Sequence, residues 1–161
     1  MPDQAAFSPI IDHIVGIQRS LRPVATLENG RTLELGQATC YPGPLPMRQE
    51  PPVNSWQNRW SLAAPPQYEP GYSATELWLA EMRWYGRSAM AEYDVAYREA
   101  GAVLDAALRE FYKAEHTSLG DLVDTHEIAA VDNVIDVEAD VARSPVIVTL
   151  NLQITRTVLT D

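Results

Sequence analysis

The fold is decided by residues 89–115, which read AMAEYDVAYREAGAVLDAALREFYKAE. Apolar side chains recur there every three or four residues, and charged side chains fill most positions between them. This spacing predicts one long helix that packs a single apolar face on a sheet. The predicted apolar face consists of Tyr93, Ala96, Tyr97, Ala100, Val103, Leu104, Ala107, Leu108 and Phe111. The charged residues, Glu99 among them, are predicted to lie on the other face.

Strands are predicted on both sides of this helix, because apolar residues alternate there with polar ones. Leu77–Tyr85 is one such strand, and Gly86–Ser88 is predicted to end it, with its serine capping the helix that follows. Residues 135–141 and 146–154 alternate in the same way on either side of a short turn. They predict a long hairpin with one face on the core and the other facing water or a partner.

The N-terminal part of the chain predicts a short helix and then a hairpin. Helical spacing of apolar side chains predicts a helix over residues 9–20, with Ser8 as its cap and Pro9 in its first turn. Asn29 and Gly30 then separate two strand-like segments. Because both central residues of a type I′ turn need a positive φ, Asn-Gly is a strong hairpin signal, and we expect that turn type.

Residues 42–70 hold eight of the twelve prolines of the chain. Proline lacks a backbone N–H donor, so we expect a long loop insertion there and neither a continuous helix nor a central strand. The segment is also rich in aromatic residues, which favours a loop that lies on a surface over a flexible spacer. For its two tryptophans, contact with a partner and packing within the protein are equally open. The candidate interface residues are Tyr41, Trp56, Trp60 and Tyr68.

The order of the predicted elements is helix, hairpin, loop, strand, long helix and hairpin. Strands that gather towards both ends of a chain, rather than alternating with helices, indicate the α+β class with a mainly antiparallel sheet. A chain of 161 residues is close to the usual size of one domain. We therefore expect a single α+β domain over residues 1–161.

The composition argues against several classes of function. There are 12 basic residues and 22 acidic ones, and the resulting formal net charge of −10 argues against binding to a nucleic-acid backbone. Cys40 is the single cysteine, which excludes a disulfide framework and a four-cysteine zinc site. No apolar run is long enough to span a membrane, and residues 1–7 do not resemble a signal peptide. We expect an acidic, soluble, intracellular domain.

Recognisable catalytic motifs are absent from the sequence. The three histidines, His13, His116 and His126, are spread along the chain, and surface or loop positions are expected for them. No serine lies in a G-x-S-x-G motif, and neither a phosphate-binding loop nor a dinucleotide-binding fingerprint is present. We therefore expect no catalytic residues, no cofactor and no enzymatic activity.

The region 121–140 is strongly acidic, and three interpretations of it are open. Its carboxylates could bind a hard cation, form a solvated strand face, or form a ladder that repels a negatively charged partner. Asp136, Glu138 and Asp140 alternate along one predicted strand, which spreads their carboxylates instead of converging them. A weaker candidate set, for a transition metal, consists of Asp124, His126 and Glu127. Neither set has the spacing of a known metal site, so we expect no bound metal.

The order and pattern of these elements resemble the tail terminator (tail completion) proteins of long-tailed bacteriophages. The likeness is carried by the strand Glu76–Tyr85, the helix Ala89–Glu115 and the hairpin Ile135–Val158, which make up somewhat under half of the chain. It is a likeness of element order rather than of a diagnostic motif. The proline-rich insertion at 42–70 departs from the short loops of a minimal member of that family.

The resemblance implies a structural protein of the virion. Members of the family are non-catalytic α+β subunits that close into a hexameric ring on the tail tube, stop its polymerisation and offer a docking surface to the head connector. They act in the neck of the particle and are assembled in the host cytoplasm. DNA passes through the ring without specific binding, and an acidic lining formed by Asp136, Glu138 and Asp140 would suit that passage.

Other functions stay open beside this one. The chain could be another phage component of similar build, such as a head–tail connector or a tail-tube subunit. It could also be a small enzyme or ligand-binding domain, because a helix on an antiparallel sheet supports many functions.

Overall fold

The computed structural model describes residues 6–46, 49–129, 131, 133–139 and 143–159. In this part of the chain the elements are α1 (Ser8–Ser20), β1 (Val24–Thr26), β2 (Thr32–Glu34), β3 (Thr39–Tyr41), β4 (Ser55–Leu62), β5 (Gln67–Glu69), β6 (Ser73–Ser88), α2 (Tyr93–Phe111), β7 (Thr125–Ala129), β8 (Ile135–Val137) and β9 (Pro145–Leu159). A short 3₁₀ helix, Ala114–His116, follows α2.

One sheet of seven described strands has the order β3, β4, β6, β9, β7, with β5 also paired to β6 and β8 to β9. All of these neighbours run antiparallel except β3 and β4, which are parallel. The strands β6 and β9 are the central pair, and every residue of β6 from Ser73 to Tyr85 has a partner on β9. The predicted class, α+β with a mainly antiparallel sheet, is therefore confirmed.

The helices α1 and α2 pack on the same face of this sheet and share one hydrophobic core with it. On α2, Ala96, Ala100 and Ala107 are fully buried, so the helix lies close to the strands beneath it. The sheet contributes buried side chains from alternate positions of its two central strands, namely Ala80, Met82, Trp84, Val148, Leu150, Leu152 and Ile154. The predicted long amphipathic helix is confirmed with narrower bounds. No helix within the described ranges is long and apolar enough to cross a membrane.

The buried face of α2 differs from the predicted one at two positions. Tyr93 is 66% exposed, because it begins the helix beyond the edge of the core. Glu99, predicted to lie on the other face, is only 5% exposed. Its Oε1 accepts a hydrogen bond from Nε of Arg87, at 2.5 Å, so an ion pair with the end of β6 brings this carboxylate into the interface.

The expectation of an uninterrupted loop over 42–70 is wrong. Strand β4 lies inside the sheet between β3 and β6, and its first four residues are buried. The prolines of the segment flank this strand, and residues 53–64 contain none of them. The prolines therefore interrupt regular secondary structure before and after β4, but they do not prevent the strand itself.

The end of β6 also differs from the prediction, since Gly86–Ser88 belongs to the strand. The ring of Trp84 lies over Gly86, where a Cβ would sit 2.5 Å from a ring carbon. Glycine therefore lets the strand continue past the buried tryptophan. The register shifts between Tyr85 and Ser88, and the Ser88 hydroxyl accepts a hydrogen bond from the backbone of Met90 instead of capping α2.

The N-terminal elements follow the prediction except in their details. The helix begins at Ser8 itself, preceded by Phe7, and no side chain caps it. The strands β1 and β2 form the expected hairpin, as a separate two-stranded sheet. Of the two turn residues only Gly30 has a positive φ, so the loop is not type I′. It fits a three-residue loop that ends in a left-handed glycine.

The C-terminal hairpin is confirmed, with β8 shorter than predicted and paired to Val146–Val148. Three residues of the predicted hairpin, Asp140, Val141 and Ala142, lie outside the described residues. The sequence analysis missed β7, which pairs along the same side of β9 and extends that edge.

A buried amide pair joins α1 to β4. The side chains of Gln18 and Asn58 are fully buried and exchange two hydrogen bonds, of 2.8 and 3.0 Å. The Asn58 amide also donates to the backbone oxygen of Tyr41 on β3. The two buried amides therefore satisfy each other's hydrogen-bonding groups where the helix meets the sheet.

Replacing Val103 by Asp tests the buried face of α2. Val103 is 1% exposed, so Val103→Asp buries an unpaired carboxylate and should cost about 4 kcal/mol or more of unfolding free energy. Tyr93→Asp, on the exposed first turn, should cost far less. Chemical denaturation of both variants checks this, and equal losses would contradict the observed face.

Replacing Gly86 by Ala tests the close contact with Trp84. The added methyl group should collide with the indole ring and cost about 1–3 kcal/mol. The matched control is Gly101→Ala in α2, where a Cβ meets nothing within 4 Å and the change should stabilise the helix by about 0.5–1 kcal/mol. Thermal unfolding should therefore shift in opposite directions for the two variants.

Candidate interface surfaces and polar clusters

The four candidate aromatic residues do not form one patch. Trp56, a candidate interface residue, is 1% exposed and belongs to the core, so of the two open alternatives packing within the protein is the one observed. Trp60 is partly buried, and its indole N–H donates to the backbone oxygen of Pro42 at 2.9 Å. Tyr41 is partly buried on β3, whereas Tyr68 on β5 is 63% exposed. Of the four, Tyr68 is the side chain most available to a partner.

An exposed ribbon extends the central strands at one end of the sheet. Every residue from 61 to 72 is exposed, and β5 pairs with the first residues of β6. Phe7 packs on Trp78 and Trp60, with ring centroids 4.3 and 5.2 Å apart, and forms a packed layer near the base of this ribbon. We name the exposed apolar residues towards this end of the sheet, on both of its faces, the ribbon tip. It consists of Leu62, Tyr68, Tyr72 and Leu159, which are 44–72% exposed.

A second exposed apolar patch lies where β6 leads into α2. Met90 is 85% exposed and Tyr93 is 66% exposed, and the Tyr93 ring stacks on that of Tyr97 at 4.6 Å. We name Met90 and Tyr93 the helix-start patch. The 16 residues of β6 separate it from Tyr72 and Leu159 of the ribbon tip, which corresponds to about 50 Å of extended strand. The periodicity predicted Tyr93 to lie in the core, and Met90 was not a candidate residue, so this patch was not expected from the sequence.

The acidic candidates lie at the opposite edge of the sheet from β3. Asp136 is exposed on β8, and Glu138 directly follows that strand, where Arg83 donates to its Oε2 at 3.4 Å. Both line an open cleft of about 590 Å³ together with Glu81 and Arg83. The third candidate, Asp140, lies outside the described residues. Three carboxylates and one guanidinium give this cleft a net negative charge.

Cys40 is poorly placed for nucleophilic chemistry. Cys40 is only 6% exposed, and burial raises the pKa of its thiol to about 11. At neutral pH this cysteine is almost entirely protonated, and only the thiolate is a strong nucleophile.

The three histidines come together although they are spread along the sequence. His13 Nε2 lies 3.3 Å from His116 Nδ1, and His126 Nε2 lies 2.6 Å from the backbone oxygen of His116. Burial first, and then the neighbouring histidines, lower the pKa of His13. Their proximity arises because α1 packs beside the segment after α2.

The transition-metal set proposed from sequence, with His126 beside Asp124 and Glu127, is not brought together as a cluster of three ligand atoms in the described residues.

The comparisons with known proteins add no relative to this description. No protein-family model matches the chain, and no curated protein matches it.

Proposed function

We propose that this protein is a structural component of the bacteriophage neck. Six identical subunits form a closed ring on the tail tube, end its polymerisation and join it to the head connector. The number six and the two partners follow from the resemblance to tail terminator proteins. The observation that carries the proposal is the pair of exposed apolar patches at opposite ends of β6.

A closed ring needs a head-to-tail contact in which one patch meets a different patch on the next subunit. The ribbon tip and the helix-start patch meet this requirement, because they differ in composition and lie towards opposite ends of β6. A symmetric dimer would instead require one self-complementary patch. Two separate patches therefore suit a head-to-tail contact, which forms a ring when the rotation between subunits closes.

The ribbon tip has two features that a neighbouring subunit would cover. It exposes two tyrosines and two leucines to water, and exposed apolar side chains are common at sites of protein association. Strand β5 also lies at an edge of the sheet within the described residues, and such an edge can pair with another chain. Contact with the next subunit in a ring would cover both features.

The charge distribution suits a channel through which DNA passes. Glu81, Asp136 and Glu138 line one cleft with Arg83, and the chain carries a net charge of −10. A negatively charged lining repels the phosphate backbone, so DNA would move past it without being held. The cleft is accordingly assigned to the inner side of the proposed ring.

Cysteine crosslinking tests the head-to-tail contact. In assembled particles, a Tyr72→Cys/Tyr93→Cys double variant treated with a bismaleimide should give a ladder of covalent oligomers up to the hexamer. Each single variant should give none, because equivalent residues do not meet in such a ring. The native Cys40 adds little background, since it is buried and its pKa is raised to about 11.

The control for this experiment replaces the ribbon-tip cysteine by one at Tyr112, which is 67% exposed and belongs to neither patch. The Tyr93→Cys/Tyr112→Cys variant should give no ladder. Covalent dimers from either single variant of the tested pair would indicate a symmetric contact and would contradict the ring.

Deletion of the gene from its parent phage tests the function itself. Loss of the protein should give tails of uncontrolled length that lack heads, and expression of the wild-type chain should restore normal particles. Electron microscopy of lysates provides the measurement. Tails of normal length attached to full heads would exclude a role in termination.

A further inference from the structure

The ring of His116 has a polar partner on each of its two nitrogens. Nδ1 lies 3.3 Å from Nε2 of His13 on α1. On the other side, Nε2 lies 3.1 Å from Oε1 of Glu110 and 3.6 Å from Oε1 of Glu115. A single imidazole thus connects the first helix to two carboxylates near the end of α2 and in the 3₁₀ helix.

The contact with His13 fixes which nitrogen of His116 faces the carboxylates. In one tautomer the Nε2–H group donates to Glu110 Oε1, whereas in the other Nδ1–H donates to His13 and the lone pair of Nε2 points towards Glu110 and Glu115. A lone pair and two carboxylates repel one another unless a cation lies between them, and the cation can be a proton or a metal ion. In this second tautomer the arrangement has the polarity of a cation site.

We propose that His116 Nε2, Glu110 Oε1 and Glu115 Oε1 bind a divalent transition-metal ion of the zinc type. These three residues each offer one ligand atom, and the three ligand atoms lie within 4.8 Å of one another. Zinc bonds of 2.0–2.2 Å in tetrahedral geometry place neighbouring ligand atoms about 3.4 Å apart. The observed nitrogen–oxygen distances of 3.1 and 3.6 Å fall on either side of that value. Water completes the coordination.

The surrounding residues support this choice of ion. A set of one imidazole and two carboxylates suits zinc, whereas calcium and magnesium prefer oxygen ligands alone. Lys113 Nζ lies 2.8 Å from the other oxygen of Glu110, so Oε1 remains available to the ion. His13 is a positioning residue, because a hydrogen bond to the second ring nitrogen orients a metal-binding histidine.

This proposal departs from the expectation, made from spacing alone, that the chain binds no metal. Bound zinc would tie the end of α2 to the 3₁₀ helix and, through His13, to α1. Its effect is therefore on stability, and the site does not depend on the proposed ring.

Metal titration of the chelator-treated protein tests the site. Zn²⁺ at about 100 times its dissociation constant should raise the melting temperature by about 5 °C or more. Co²⁺ should give visible absorption that saturates at one ion per chain and that Zn²⁺ removes. If neither metal shifts the melting temperature and Co²⁺ gives no saturable band, the site does not exist.

Variants then identify the ligands. Glu115→Gln should weaken Co²⁺ binding at least tenfold without altering the metal-free melting temperature, because the Glu115 side chain is 67% exposed. The matched control is Glu127→Gln on β7, also an exposed carboxylate, which should bind as the wild type does. His116→Gln should abolish the band, and His13→Gln should weaken binding about tenfold. Wild-type affinity in Glu115→Gln would overturn the assignment even if His116→Gln fails to fold.

Discussion

The antiparallel pairing of β6 with β9 is the constraint on which the rest of this structure depends. Each further strand of the main sheet attaches directly or through β4 to one member of this pair: β4 and β5 to β6, and β7 and β8 to β9. Side chains of a strand alternate between its faces, so a slip of one residue would exchange Met82 and Trp84 for Glu81 and Arg83 beneath the helices. The apolar pattern therefore fixes the register, and the register fixes both the core and the polar face.

Those parts of the fold that rest on local periodicity could be predicted from the sequence. The helix α2, the middle of β6 and the C-terminal hairpin all have long repeats of apolar residues, and each is present in the structure. Strand β4 was missed because the prolines around it dominated the composition of the segment. Glu99 was misplaced because its ion partner, Arg87, lies on the preceding strand, and pairing across elements leaves no periodic signal in the sequence.

The candidate sites were less predictable, since they depend on contacts between distant segments. His13 and His116 are separated by 103 positions and meet only because α1 packs beside the end of α2. Trp56 and Tyr68 both occur in the proline-rich segment, yet one is buried and the other exposed. Local composition suggested the same surface role for both. Their difference follows from strand pairing, because Trp56 lies on the internal strand β4 and Tyr68 on the peripheral strand β5.

The position of β9 in the chain has a consequence for folding during synthesis. The central pair joins β6 to the last described strand, so β6 emerges from the ribosome well before its main partner. Until β9 follows, the long edge of β6 and the apolar face of α2 are uncovered, and such states are prone to aggregate. The closing contact also spans a long sequence separation, which slows folding in general. The nascent chain is therefore expected to require protection by chaperones until β9 has been made.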